Sequence, residues 1–195
     1  MKPVDLLQQL NALDEHPRIE AKAGSDIGKS MLETVCAFAN EPGLDGGWLL
    51  LGVTQDQQAF WKQYEVVGVD DPDKIQADLA SQCAQVFNIP VRPQCEVAEI
   101  RGRRVIAVRV PEAPASAKPV YFAARGLPAG AFRRIGSSDV RCTEEDLAVF
   151  YADRPGQSLD LGVLPDGELD EIDRSVLADY RRLRAEANPA DESLA

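Results

Sequence analysis

The chain has 195 residues and a formal net charge of −11, with 45% hydrophobic and 27% charged residues. That balance fits one globular domain with an appendage. It excludes a bilayer span: no apolar run, Trp48-Leu49-Leu50-Leu51 included, approaches the roughly 20 residues required.

Val4, Leu6, Leu7, Leu10 and Leu13 fall at helical spacing, so residues 3–13 read as an amphipathic helix that Pro17 cannot continue. Residues 18–22 alternate and read as a short strand. Gly24-Ser25-Asp26 supplies a turn and an N-cap for a helix over residues 27–40. Pro42 and three glycines mark residues 41–47 as a loop. Residues 48–53 are almost wholly apolar, as in a central strand buried on both faces. Asp71-Pro72-Asp73 opens a helix that runs to about residue 86.

Residues 91–100 and 103–110 read as strands joined by a hairpin at Arg101-Gly102. A Pro/Ala-rich connector follows, then strands over 120–124 and 131–135 around a Gly/Pro loop. Thr143 and Asp146 form a capping box for a helix to about residue 151. After residue 156 the composition shifts. Residues 169–187 read as a charged helix with Ile172, Val176, Leu177, Tyr180 and Leu183 on one face, and residues 188–195 as disordered. The expected organisation is an N-terminal helix (1–14), a domain (15–155) and an acidic extension with one helix (156–195). The expected fold class is α/β (α+β), with a mixed central sheet of about six strands flanked by helices.

Residues 1–155 carry 17 Lys and Arg against 22 Asp and Glu, a balance of −5; residues 156–195 carry 4 against 10, a balance of −6. Overall acidity opposes nonspecific nucleic-acid binding, which is driven by counterion release, but leaves room for a local basic patch. Cys36, Cys83, Cys95 and Cys142 are scattered and the lone histidine is His16, so no zinc site and no other resident cofactor is expected. Reduced, partly buried cysteines are the plainer reading. The first residues lack a signal-peptide layout, so the expected location is cytoplasmic, without membrane partners.

The strongest constellation is Glu20-Ala21-Lys22 on a strand, a helix closing in Ala37-Phe38-Ala39-Asn40, then Gly46-Gly47 and an apolar strand ending Gly52-Val53. Asn40 is expected to stop the helix in the left-handed conformation, and Gly46-Gly47 to turn the chain tightly, with space for a close ligand. The plain alternative is a helix-to-strand turn beside a surface Glu20–Lys22 pair.

This order resembles the Schlafen AlbA-type DNA-binding domain family. Ile89-Pro90, residues 105–110, Lys118-Pro119-Val120-Tyr121, residues 132–138 and Glu144-Glu145 continue the resemblance over about 135 residues. One departure is the loop Glu41-Pro42-Gly43-Leu44-Asp45, longer than the family's turn. The resemblance implies a DNA- or RNA-binding domain of a bacterial transcriptional regulator, often continued by a winged-helix or ATPase-like region. Arg133, Arg134 and Arg141 flank Gly136-Ser137-Ser138, where Ser137 and backbone amides suit a phosphate; Lys22, Lys29 and Arg125 are further candidates. Alternatively these cations solvate strand edges and pair with Asp139, Glu144 and Glu145.

Two further chemistries have sequence support. Gly24 to Ser30 imitates a phosphate-binding loop but is one residue short between its glycines, so only simple anion binding at the helix start is expected. The family also includes metal-dependent ribonucleases with three acidic residues, and Glu15, Glu20 and, after a one-residue slip, Asp56 fall near those positions. A divalent metal enters only under that alternative. There the plain reading makes Glu15 a solvated turn residue and pairs Glu20 with Lys22. A third reading is a protein-interaction module, a homo-oligomer formed through the C-terminal helix.

Overall fold

In the computed structural model, which describes residues 1–24, 27–56, 63–154 and 174–187, the chain forms two compact units, Met1–Gln157 and Ser158–Ala195. A four-stranded mixed sheet organises the first. Strand β1 (Ile19–Lys22) runs parallel to β2 (Gly47–Leu51), and the crossover that parallel pairing demands is helix α2 (Lys29–Asn40). Two further strands, β5 (Gln94–Ile100) and β6 (Arg103–Val110), complete the order β1-β2-β6-β5, with β6 antiparallel to both neighbours.

Both faces of the sheet are covered. Leu49, Leu51, Ile106 and Val108 enter the larger core with α2 and with helix α3 (Pro72–Gln85). Leu50, Val105 and Ala107 enter a second core beneath helix α1 (Pro3–Leu13), against Leu6, Leu7 and Leu10. Two-sided burial is why β2 shows no polar alternation. The Asp71 side chain accepts the Lys74 amide and caps α3, as Asp71-Pro72 implied.

The apolar run expected as one strand is cut at Gly52, which has φ +86. Beyond it, β3 (Val53–Gln55) pairs with β4 (Tyr64–Val66) in a separate two-stranded sheet. A third sheet is the hairpin of β7 (Phe132–Ile135) and β8 (Ser138–Arg141), followed by helix α4 (Glu144–Ala152) with its Thr143–Asp146 capping box. Among the described residues the central sheet therefore has four strands, not about six; the others form two small sheets.

Residues 120–124 do not form the expected strand. Side chains take part of the backbone there, and the rest makes isolated bridges: Asn40 binds both the N–H and the C=O of Val120, Asn88 accepts the Tyr121 amide at 2.8 Å, and the Phe122 and Ala123 amides donate to the Gly130 and Val86 carbonyls. Helix α2 begins at Lys29, with Gly28 as its N-cap. The expected capping residues Ser25 and Asp26 lie outside the described residues.

The four cysteines form no disulfide, and three are buried. Burial pushes the Cys83 and Cys142 thiols up to about 12. In the second unit, helix α5 (Arg174–Ala187) exposes Val176 and Leu183. The expected helix start at 169–173, Ile172 included, and the tail 188–195 lie outside the described residues. No helix among the described residues is long and apolar enough to cross a membrane.

Candidate functional site

The constellation built on Asn40, Gly46 and Gly47 is a packed joint between α2, the sheet and the β7–β8 hairpin. Asn40 lies inside α2 rather than in the left-handed conformation expected of a helix stop. Glu41 ends the helix at φ −65 and ψ 117, the extended geometry that a following proline imposes. Asn40 instead serves as a buried clasp. Its Nδ2 donates to Val120 O at 2.7 Å and Phe132 O at 2.8 Å, and its Oδ1 accepts the Val120 amide at 2.7 Å.

The double glycine is filled from within the protein, leaving no space for a ligand. Gly46 has φ +71, and a Cβ there would run into the Val110 carbonyl. A Cβ on Gly47 would stand 2.5 Å from Phe38 Cγ and Cε1. Gly47→Ala must displace the Phe38 ring, which is fully buried, and should cost about 1–3 kcal/mol as overpacking. Urea unfolding followed by circular dichroism reads that loss; an unchanged midpoint would refute the packing argument.

The lengthened loop that precedes the glycines is tied down. Glu112 accepts the amides of Asp45 at 2.7 Å and Gly43 at 3.2 Å, and pairs with Lys118 at 2.6 Å. Arg109 reaches Asp45 Oδ2 at 2.9 Å and lies over the Trp48 ring.

Beside this joint lies a charged cluster. Arg134 on β7 has a fully buried side chain whose Nη1 bonds both Glu20 on β1 and, at 2.8 Å, Asp139 on β8. Glu20 also pairs with Lys22, and the Thr34 hydroxyl donates to Asp139 at 2.6 Å. The Arg134 guanidinium sits 5.1 Å from the centre of the Phe38 ring, and its Nε and Nη2 meet no protein acceptor among the described residues. Next to it, Arg133 bonds Glu41 at 2.8 Å and Asp146 at 2.5 Å.

Most of the cations expected to take phosphate are thus neutralised by carboxylates of the same domain. Lys22 and Arg134 pair with Glu20, and Arg133 pairs with Glu41 and Asp146. Lys29 and Arg125 both pair with Glu33. Asp139 is one of the partners foreseen; Glu41 and Glu33 were not, because they lie on α2 and at its end, remote in sequence. Ser137 and Arg141 are exposed at the β7–β8 hairpin.

The three acidic residues meet different fates. Glu15 is half-buried and accepts the Ala21 amide at 3.0 Å, which differs from the solvated residue of the plain reading; burial pushes its carboxyl above the ordinary value. Glu20 is held by Lys22 and Arg134. Asp56 is half-buried after β3, with its amide donating to Gln63 O at 2.7 Å. Among the described residues no group of three or more His, Cys, Asp or Glu is placed to hold a metal.

The hairpin between β5 and β6 holds what sequence reading took only for a turn. Arg101, Arg103 and Arg104 are all exposed there, and none forms an ion pair with a carboxylate among the described residues. Three arginines in four residues were the available signal.

Two carboxylates set an acid limit to stability. Burial pushes the Glu112 carboxyl up, but Lys118 and the Asp45 and Gly43 amides outweigh it and hold the group below its ordinary value. Burial also raises Asp146, and the Thr143 amide and Arg133 likewise bring it below its ordinary value. A depressed carboxylate contributes stability above its unfolded-state value and loses it as pH falls through the folded one. Stability should therefore drop below about pH 4.5. Glu15, raised by burial, has the opposite sign and partly offsets the loss. Urea midpoints measured from neutral to acid pH should fall less steeply in Glu112→Gln than in the unmodified chain; equal slopes would contradict the assignment.

Residues 15–143 match the family model described as Schlafen, AlbA_2. The chain belongs to the Schlafen AlbA_2 family. No curated protein matches it. Among solved structures, this Schlafen AlbA_2 domain is similar to the N-terminal domain of a RecG-related protein from Nitrosomonas europaea, whose name relates it to an ATP-dependent DNA helicase. The two share 55% identity over 73% of this chain and 94% of that one, with a TM-score of 0.61. The DIP2311 protein of Corynebacterium diphtheriae aligns with 90% of this chain and 36% of its own, at 21% identity and a TM-score of 0.46.

Proposed function

We propose that this Schlafen AlbA_2 domain binds nucleic acid, DNA in the first instance, as a module of a bacterial regulator or DNA-directed protein. The observation that carries this reading is the 55% identity to nearly all of a RecG-related protein's N-terminal domain. The geometry supports binding rather than hydrolysis, because Glu20 is committed to Arg134 and Lys22. Titration of labelled DNA and RNA by fluorescence anisotropy tests it. Affinity should fall steeply between about 50 mM and about 200 mM salt, as phosphate contacts require. A flat anisotropy at the lower salt would overturn the reading.

A second reading, a self-associating module, is favoured by Val176 and Leu183, which lie one heptad apart and exposed on α5. Light scattering decides it: removing residues 156–195 should lower the number of chains per particle, and an unchanged number sinks the idea.

A further inference from the structure

We propose that the β5–β6 hairpin is the nucleic-acid contact of this domain, with Arg101, Arg103 and Arg104 gripping the phosphate backbone of duplex DNA. The inference rests on the binding reading above and gives it a location. The turn is tight: Arg101 has φ +54 and Gly102 φ +73, both central residues left-handed, as in the two-residue hairpins whose twist matches their strands. Ile100 pairs with Arg103, so the turn is Arg101-Gly102 alone. A Cβ on Gly102 would meet nothing within 4 Å, so the tip stands in open space.

Successive strand residues point to opposite faces, which sends Arg103 and Arg104 to the two sides of the ribbon. Arg103 donates to Val67 O at 2.7 Å and Arg104 donates to Asp70 O. These bonds to neutral carbonyls aim the guanidinium groups, and no carboxylate among the described residues pairs with their charge. Glu99 stands opposite Arg104 in register, but no ion pair forms between them. The contrast with the paired Arg125, Arg133 and Arg134 is the decisive point, because a cation already neutralised by a carboxylate releases no counterion when it meets a phosphate.

The hairpin favours duplex over single-stranded ligand. A two-stranded ribbon fits a DNA groove, and arginine forks suit phosphate oxygens bidentately. Single-strand binders add aromatic stacking platforms. Among the described residues of the first unit no aromatic side chain is among the exposed large hydrophobics.

The test uses the full chain, fluorescein-labelled duplex DNA, and single-stranded DNA and duplex RNA as comparison probes. R101A/R103A/R104A should weaken duplex DNA binding at least tenfold and reduce the salt slope by about three, one per lost phosphate contact. R141A should leave both nearly unchanged, and R101K/R103K/R104K should keep the salt slope, because the charge is kept, while losing part of the affinity that the bidentate forks supply. Circular dichroism melts of each variant report its folding. Wild-type binding that survives the triple alanine change overturns the inference while leaving nucleic-acid binding intact. Equal losses in R141A do the same, as does preference for single strands or for RNA. Absence of wild-type binding to any probe overturns the broader reading and this one with it.

Discussion

Arg134→Ala is expected to destabilise the domain by about 3–5 kcal/mol, the usual result of removing one partner from a buried ion cluster. The Arg134 side chain is fully buried, and it is the cation that bridges Glu20 on β1 to Asp139 on β8. Without it, among the described residues Asp139 keeps the Thr34 hydroxyl, and Glu20 keeps Lys22 with a 3.5 Å approach to the same hydroxyl. The cost arises from stranded carboxylates and not from the value of the pair itself, so neutralising the partners should recover part of it. Urea unfolding of Arg134→Met combined with Glu20→Gln and Asp139→Asn should give a higher midpoint than Arg134→Ala. A midpoint equal to or below that of the single variant would show that the cluster's role is packing and not charge.

Asn40→Ala should cost a similar amount, about 3–5 kcal/mol, because three buried backbone groups lose their partners at about 1–3 kcal/mol each. Among the described residues the Val120 amide and the Phe132 carbonyl have no other partner, and the Val120 carbonyl keeps the Cys36 thiol at 3.2 Å. Asn40→Asp sharpens the test. It is nearly isosteric but exchanges the amide donor for an oxygen that faces two carbonyls. It should be at least as damaging as alanine. If Asn40→Asp is tolerated, the clasp is not what holds residues 120–132 to α2.

These two residues also show what sequence could and could not convey. The helices were legible because their caps and apolar spacing are local: Asp71 and Thr143 cap the helices they precede. The two central strands were legible because burial on both faces leaves an unbroken apolar run. Asn40 was noticed for its place at a helix end, but its role depends on Val120 and Phe132, some 80 and 92 residues away. The same distance hid the pairing of Arg133 with Glu41 and of Arg125 with Glu33. A run of arginines beside a glycine turn looks alike in sequence whether its charges are spent within the fold or free. Only three-dimensional pairing separates Arg133-Arg134 from Arg103-Arg104. Strand β8 was missed because Ser138–Arg141 is mostly exposed and carries no apolar alternation. The separate β3–β4 sheet was missed because Gly52 diverts a run that composition alone would continue.

The family motif thus takes on a structural meaning. Phe38, Asn40, Gly46 and Gly47 lock the helix, the sheet and the β7–β8 hairpin together, and Glu20 and Arg134 complete the joint by charge. The proposed nucleic-acid contact lies at the β5–β6 hairpin of the same sheet, where Arg101, Arg103 and Arg104 pair with no carboxylate among the described residues.

The most direct test is an amide spectrum of isotope-labelled protein titrated with duplex DNA at low salt. The account predicts progressive shifts centred on Arg101, Gly102, Arg103 and Arg104, reversed as salt is raised. A spectrum that stays unchanged through saturating DNA would contradict it.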